Sequence, residues 1–116
     1  MNQVSYAIDI DVYGVQIGVF EDQADLLTWY HERGLDTAAV TQAGSTAYSG
    51  FVDGPDNTTW LVAWIPRGAS PTTIAHEAVH LAAFTLESAS VPFDSDHHEA
   101  LAYLVGFIAG KIAEEQ

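Results

Sequence analysis

The sequence predicts a single α+β domain with a small, mostly antiparallel sheet and three helices. Two observations lead to this fold class. The predicted elements follow the order strands, helix, hairpin, helix, helix, and such an unalternating order is typical of α+β folds, in which the helices pack on one face of the sheet. The chain of 116 residues, 1–116, has the size of one domain, and a domain of this size can bury a core without disulfides or structural metals.

The first three elements are two strands and a helix. Apolar and polar residues alternate from Tyr6 to Val12, which predicts a half-buried strand with Val12 on its apolar face. Gly14 then marks a turn or bulge before the strand-like run VQIGVF. The segment EDQADLLTWYHERG has acidic residues in its first turn and a glycine, Gly34, at its end, as expected for a helix.

The segment STAYSGFVDGPDNTTWLVAWIPRG predicts a β-hairpin. Its centre, DGPDN, supplies turn residues between two strand-like runs. The second arm runs from Thr59 to Ile65, and Pro66 ends it. Two tryptophans, Trp60 and Trp64, share one face of this arm, and its aliphatic residues share the other.

Two further helices complete the chain. The first begins with Ser70 as its cap and Pro71 at its first position, and extends to about Glu87. The last runs from about Asp96 to Glu114. The cap candidates of the last helix are Asp94, Ser95 and Asp96.

The charge of the chain is strongly acidic. It has 16 Asp and Glu residues against 3 Lys and Arg, for a net charge of −13, which disfavours nucleic acid as a partner. The acidity is read as a contribution to solubility, as a preference for basic partners, or as imitation of nucleic acid. The sequence has no cysteine, no apolar run of the roughly 20 residues that a membrane span needs and no signal-peptide pattern. We therefore expect a cytoplasmic protein without a membrane partner.

The segment AHEAVH contains the candidate metal ligands and a candidate base. His76 and His80 lie one turn apart on the same helix face, so that both imidazoles can reach one ion. Glu77 lies about 100° round the helix from His76, from where it can reach a water on the ion without being a ligand. Catalytic zinc takes three protein ligands and one water, whose pKa falls toward about 7. The alternative is two core histidines bonded to backbone and a glutamate on a solvated face.

A zinc site needs a third ligand. The pattern with a third histidine six residues after His80 is excluded, because Leu86 stands there. Glu99 is favoured: the loop after the motif helix can reverse the chain, and an antiparallel last helix returns Glu99 to the level of His80. His98 and then His97 remain as alternatives.

The rest of the last helix offers one more candidate. Tyr103 follows Glu99 by one turn, and could steady that carboxylate or donate to the oxyanion that forms when water attacks a carbonyl; the alternative is a core tyrosine. We expect Gly106 and Gly110 to permit close packing of the last two helices, and His31 to be a surface residue.

AHEAVH followed by DSDHHEALAYLVGFI resembles the gluzincin branch of the zincin metallopeptidases, in the small single-domain form often found among phage-encoded proteins. The resemblance covers about residues 70–110, roughly a third of the chain. It implies His76, His80 and Glu99 as zinc ligands and Glu77 as general base and acid. In larger members an aspartate four residues after the glutamate ligand supports a motif histidine, whereas Tyr103 stands there in this chain.

The resemblance also implies an edge strand just before the active helix, antiparallel to the bound peptide. Thr59 to Ile65 matches that position, with Trp60 or Trp64 lining the cleft or in the core. The expected function is that of a small zinc-dependent metallopeptidase, in which Glu77 deprotonates a zinc-held water that attacks a peptide or protein substrate. The alternatives are a catalytically silent zinc-binding domain and an acidic protein that mimics nucleic acid.

Overall fold

The computed structural model describes residues 4–42, 46–53 and 59–116. It confirms the α+β class, with three helices and a four-stranded mixed sheet. The predicted turn residues Gly54–Asn57 lie outside the described residues. The described part of the chain has no helix that is both long and apolar enough to cross a membrane. The strands are β1 (Tyr6–Ile10), β2 (Val15–Phe20), β3 (Tyr48–Asp53) and β4 (Thr59–Trp64), and the helices are α1 (Gln23–Glu32), α2 (Pro71–Ser88) and α3 (Glu99–Glu115).

The sheet has the strand order β1-β2-β4-β3. The β1/β2 and β3/β4 pairs are antiparallel and the β2/β4 pair is parallel. The prediction that Thr59–Ile65 forms an edge strand is wrong, because β4 is hydrogen-bonded on both sides and the edges are β1 and β3. The consecutive buried residues Leu61, Val62 and Ala63 explain this placement, since a strand that is apolar on both faces belongs inside a sheet.

Helices cover both faces of the sheet, so the expectation of one covered face is wrong. α2 and α3 pack over the face that carries Leu61, Ala63 and Ile65. α1 packs over the opposite face, where Val62 is buried. Trp60 and Trp64 share a face as predicted, and it is the α1 face. Both tryptophans therefore lie across the sheet from α2 and do not line a cleft beside it.

The first strand is shorter than its alternation predicts. β1 ends at Ile10, and Asp11–Tyr13 form one 3-10 turn. Gly14 closes this turn at φ 65°, a left-handed conformation that glycine adopts without steric cost. Val12, expected on the apolar face, is 79% exposed because the chain has left the sheet before it.

The start of α2 is as predicted. The Ser70 hydroxyl accepts a hydrogen bond of 3.1 Å from the Thr73 N–H, and Pro71 occupies the first helical turn. Ser70 thus satisfies one of the helix-end donors, which typically contributes about 1 kcal/mol. α1 likewise begins after an aspartate cap, Asp22, and the chain leaves it through Gly34 at φ 69°.

The start of α3 differs from the prediction. The helix begins at Glu99 rather than about Asp96, and its cap residue, His98, makes no side-chain capping bond. None of Asp94, Ser95 and Asp96 is therefore the cap. The Asp94 carboxylate instead accepts bonds from the Asp96 N–H at 2.9 Å and from the His97 ring at 3.0 Å, which close a separate turn before the helix.

Gly106 and Gly110 do not mediate helix packing, contrary to expectation. Both are exposed, and a Cβ at either position would meet nothing within 4 Å. α3 instead buries Leu104, Ile108 and Ile112. The last helix was apolar almost all round in sequence, so its buried face could not be read from periodicity.

Candidate metal and catalytic site

Two exposed histidines stand together on α2. The core face of this helix carries Ala78, Leu81 and Ala82, which leaves His76 and His80 on its outer side. The His76 side chain is 64% exposed. The two Nε2 atoms are 3.2 Å apart, and the ring centres are 4.8 Å apart. The one-turn spacing therefore places the Nε2 atoms of the two rings next to each other.

This separation suits two ligands of a single ion. Zinc–nitrogen bonds of about 2.0–2.1 Å at a tetrahedral centre place two ligating nitrogens roughly 3.3 Å apart. The observed 3.2 Å between His76 Nε2 and His80 Nε2 matches that value. The pair therefore fits a tetrahedral cation without rearrangement of the helix.

Glu77 is the buried member of the motif. It is 6% exposed, and it is the one carboxylate among the buried residues of the described ranges. The Ser49 hydroxyl donates to its Oε1 at 2.5 Å, and its Oε2 lies 4.0 Å from His76 Nε2. The alternative of core histidines with a solvated glutamate is wrong, because the histidines are exposed and the glutamate is buried.

The partner of Glu77 comes from the edge strand β3. Ser49 is the second residue of that strand, and it pairs with Ala63 of β4 on the face covered by α2. Sequence reasoning missed Ser49. Its alternation with Phe51 placed it on a defined face, but no local pattern links a strand serine to a helix carboxylate 28 residues later.

A shallow concavity joins the motif to the sheet edge. Its volume is about 300 Å³. The lining residues come from α2, from the start of β3 and from the segment before β3: Ala39, Gln42, Ala47, Tyr48, Ser49, His76, Glu77, His80 and Phe84. We call this concavity the β3 cleft. It opens beside a strand whose outer edge has no partner strand in the described sheet, which leaves its backbone groups able to pair with an extended peptide.

One end of the β3 cleft is aromatic. Phe84 stacks on the His80 ring with centroids 6.2 Å apart, and Phe51 lies 6.1 Å from Phe84. Phe51 is 42% exposed. This end of the cleft can therefore cover an apolar group.

Tyr48 is held in place from the α1 side of the sheet. Its hydroxyl lies 3.1 Å from the Tyr30 hydroxyl. Burial raises the pKa of Tyr30, and the hydrogen bond with Tyr48 raises it further. Tyr30 therefore stays neutral at physiological pH, and its hydroxyl holds Tyr48 as a wall of the β3 cleft.

The structure does not bring Glu99 to the histidine pair. Glu99 is the exposed first residue of α3, and it lines a different concavity together with His97 and His98. As placed, residues 4–42, 46–53 and 59–116 contain no group of three or more His, Asp or Glu side chains that could hold a metal ion. Two of the predicted ligands, His76 and His80, converge, and the third stays a prediction.

The alternatives to Glu99 differ in their availability. The His97 ring is bonded to the Asp94 carboxylate at 3.0 Å. The side chains of His98 and Glu99 make no hydrogen bond or ion pair with other described residues. His97 could bind an ion only through its other nitrogen, Nε2, while Asp94 holds Nδ1, whereas the side chains of His98 and Glu99 carry no such bond.

Tyr103 also lies away from the motif. It is 70% exposed and stacks on Phe107 with centroids 6.4 Å apart. It lines a concavity with Asp9 and Asp11 near the opposite edge of the sheet. Tyr103 is therefore not a core tyrosine, and it does not contact the histidine pair. His31 is exposed, as predicted.

Comparison with protein-family models, with curated proteins and with solved structures finds no match to this chain. The function is therefore argued from the site alone.

Proposed function

We propose that the protein is a minimal zinc-dependent peptidase of the gluzincin type, active at the β3 cleft. One observation carries the proposal: an exposed histidine pair with the nitrogen separation of two zinc ligands adjoins a buried carboxylate at a sheet edge. Exposed imidazoles are accessible to an ion from solvent, and the buried carboxylate is fixed beside them.

The motif residues have distinct tasks in this proposal. His76 and His80 hold the ion. A bound zinc ion supplies Lewis acidity, which polarises a carbonyl and lowers the pKa of water. Glu77 accepts a proton from the attacking water and passes it to the leaving amine. Its Oε2, 4.0 Å from His76 Nε2, is the oxygen that Ser49 does not occupy.

Glu99 remains the proposed third ligand. Catalytic zinc sites use three protein ligands, and glutamate is a common third partner of two histidines. Its carboxylate has no hydrogen bond with another described side chain, so binding to an ion would break none. To reach the ion it would have to leave the concavity that it now lines.

The substrate is a peptide or protein segment in extended form. β3 is an edge strand of the described sheet and offers its outer side for backbone hydrogen bonds, as in strand addition. Phe51 and Phe84 offer an apolar surface at one end of the cleft. A net charge of −13 disfavours nucleic acid as a substrate. We further propose that the protein is cytoplasmic and that it belongs to the small, phage-encoded type of these peptidases.

The direct test of the mechanism is Glu77→Gln. The amide keeps the shape and the bond from Ser49 but accepts no proton, so this variant should bind zinc like the parent and lose at least about 100-fold in peptide cleavage. Glu87→Gln on an exposed position of the same helix is the matched control and should cleave normally. Equal cleavage by Glu77→Gln and the parent would contradict the mechanism.

A catalytically silent zinc-binding domain is the second candidate. The observation that favours it is the position of Glu99 and Tyr103, both away from the histidine pair. A zinc-loaded protein that leaves a broad panel of peptides intact, while losing zinc on replacement of His76 or His80, would support this candidate over the peptidase.

A further inference from the structure

We propose that Ser49 is a positioning residue that keeps Glu77 out of the metal coordination sphere and so preserves it for proton transfer. The inference rests on the proposed function of the same site, and it concerns a residue on a different element from the motif. Its basis is the 2.5 Å hydrogen bond from the Ser49 hydroxyl to Glu77 Oε1.

The bond determines how close the carboxylate comes to the histidines. An oxygen and an imidazole nitrogen bound to the same tetrahedral zinc lie roughly 3.3–3.5 Å apart. Glu77 Oε2 lies 4.0 Å from His76 Nε2, beyond that separation. With Oε1 bonded to Ser49 of β3, Glu77 is close enough to contact a water on the ion. It is too far from the ion's position to be a ligand.

Without this bond, Glu77 has a strong reason to coordinate. A buried carboxylate that loses its hydrogen-bond partner is unfavourable, and direct coordination to a cation would replace the lost partner. Carboxylate oxygens are also ordinary zinc ligands. Once bound to the ion, the carboxylate has one oxygen fewer with which to accept a proton.

The sheet holds Ser49 in place for this task. Its backbone is in register with Ala63 of β4, a fully buried residue on the face that α2 covers. The hydroxyl is therefore presented toward α2 by the ladder of β3 and β4 rather than by a mobile loop. Because β3 is also the proposed peptide-binding edge, one strand would position both the base and the substrate.

The experiment compares Ser49→Ala with the parent full-length chain by zinc titration calorimetry and by peptide cleavage kinetics. We expect zinc to bind about 3–10-fold more tightly, because Glu77 becomes a ligand, and kcat to fall about 10-fold or more with KM little changed. Ser49→Thr, which retains a hydroxyl, should restore both values. Ser88→Ala removes a hydroxyl that is bonded to a backbone carbonyl at the end of α2 and should change neither value.

The double variant Ser49→Ala/Glu77→Gln identifies the cause. It should lose the tightening, since the amide is a poor zinc ligand. The proposal is overturned if Ser49→Ala leaves zinc affinity unchanged, if it weakens zinc binding and kcat together, or if the tightening persists in the double variant. Should the parent cleave no peptide, the peptidase function fails, while a tightening of zinc binding that requires Glu77 still supports the role of Ser49.

Discussion

The described residues include two clusters of histidines and carboxylates that are built differently. The α2 cluster comprises His76, Glu77 and His80. The α3-entry cluster comprises Asp94, His97, His98 and Glu99. In the α2 cluster the carboxylate is buried and bonded to Ser49 of a distant strand. In the α3-entry cluster every member is exposed, and the hydrogen bonds run between neighbours in sequence.

The difference shows what distinguishes a candidate site from a polar surface turn. In the α3-entry cluster, the hydrogen bond from His97 lowers the pKa of Asp94, and the Asp96 N–H lowers it further. These bonds close a turn and satisfy each other. In the α2 cluster, tertiary structure fixes a buried glutamate side chain beside two imidazoles that have only each other as side-chain hydrogen-bond partners among the described residues. This contrast is why we propose the α2 cluster as the metal site.

The largest expected effect is on zinc affinity, when one histidine of each cluster is replaced by alanine. His80→Ala should weaken zinc binding by about 100-fold or more, because it removes one of the two proposed histidine ligands. His98→Ala, the matched change in the α3-entry cluster, should alter it less than about twofold. Zinc titration calorimetry on both variants measures the contrast. Equal losses would show that His98 is also a zinc ligand.

The next effect tests whether the two clusters act together through Glu99. Glu99→Ala should weaken zinc binding about 10-fold or more, because the ion loses its third protein ligand. His97→Ala removes a neighbouring side chain that is not a proposed ligand, and should leave zinc affinity within about twofold. If the two variants bind zinc like the parent, Glu99 is not a ligand and the α3-entry cluster is surface structure alone.

A smaller effect concerns the stability of β3, which carries Ser49. A Cβ at Gly50 would lie 2.7 Å from the hydroxyls of both Tyr30 and Tyr48. Gly50→Ala should lower the free energy of unfolding by about 1–3 kcal/mol, since two packed rings must move. Urea denaturation followed by fluorescence measures this change. An unchanged midpoint would mean that β3 is not held as tightly as the α2 cluster requires.

The smallest expected effect is an increase in the free energy of unfolding, and it concerns a glycine of α3. Gly106 is exposed, and a Cβ there meets nothing within 4 Å. Gly106→Ala should therefore raise the free energy of unfolding by about 0.5–1 kcal/mol, through helix propensity alone. The same denaturation experiment applies. A destabilised variant would restore the sequence-based expectation that this glycine serves close helix packing.

Local patterns predicted the parts of the site that lie within one element. The 3.6-residue period placed His76 and His80 together, and Ser70 with Pro71 predicted where their helix begins, because these features depend only on neighbours along the chain. The α+β class followed from the order of elements for a similar reason.

Features that depend on distant residues could not be predicted in the same way. The strand order, which makes β3 rather than β4 an edge, depends on the parallel pairing of β2 with β4 across α1. The bond from Ser49 to Glu77 depends on that order. The buried face of α3 was ambiguous because apolar residues occur on all sides of this helix. Gly106 was therefore expected in a helix interface that it does not join, and Tyr103 was expected at the site or in the core, although it is exposed.

Metal content tests the central claim most directly. Mass spectrometry of the untagged protein, supplied with zinc and then desalted, should find about one zinc ion per parent chain and almost none in the His76→Ala/His80→Ala variant. A parent chain that retains no metal, or a double variant that retains as much as the parent, would contradict the assignment of a metal site to α2.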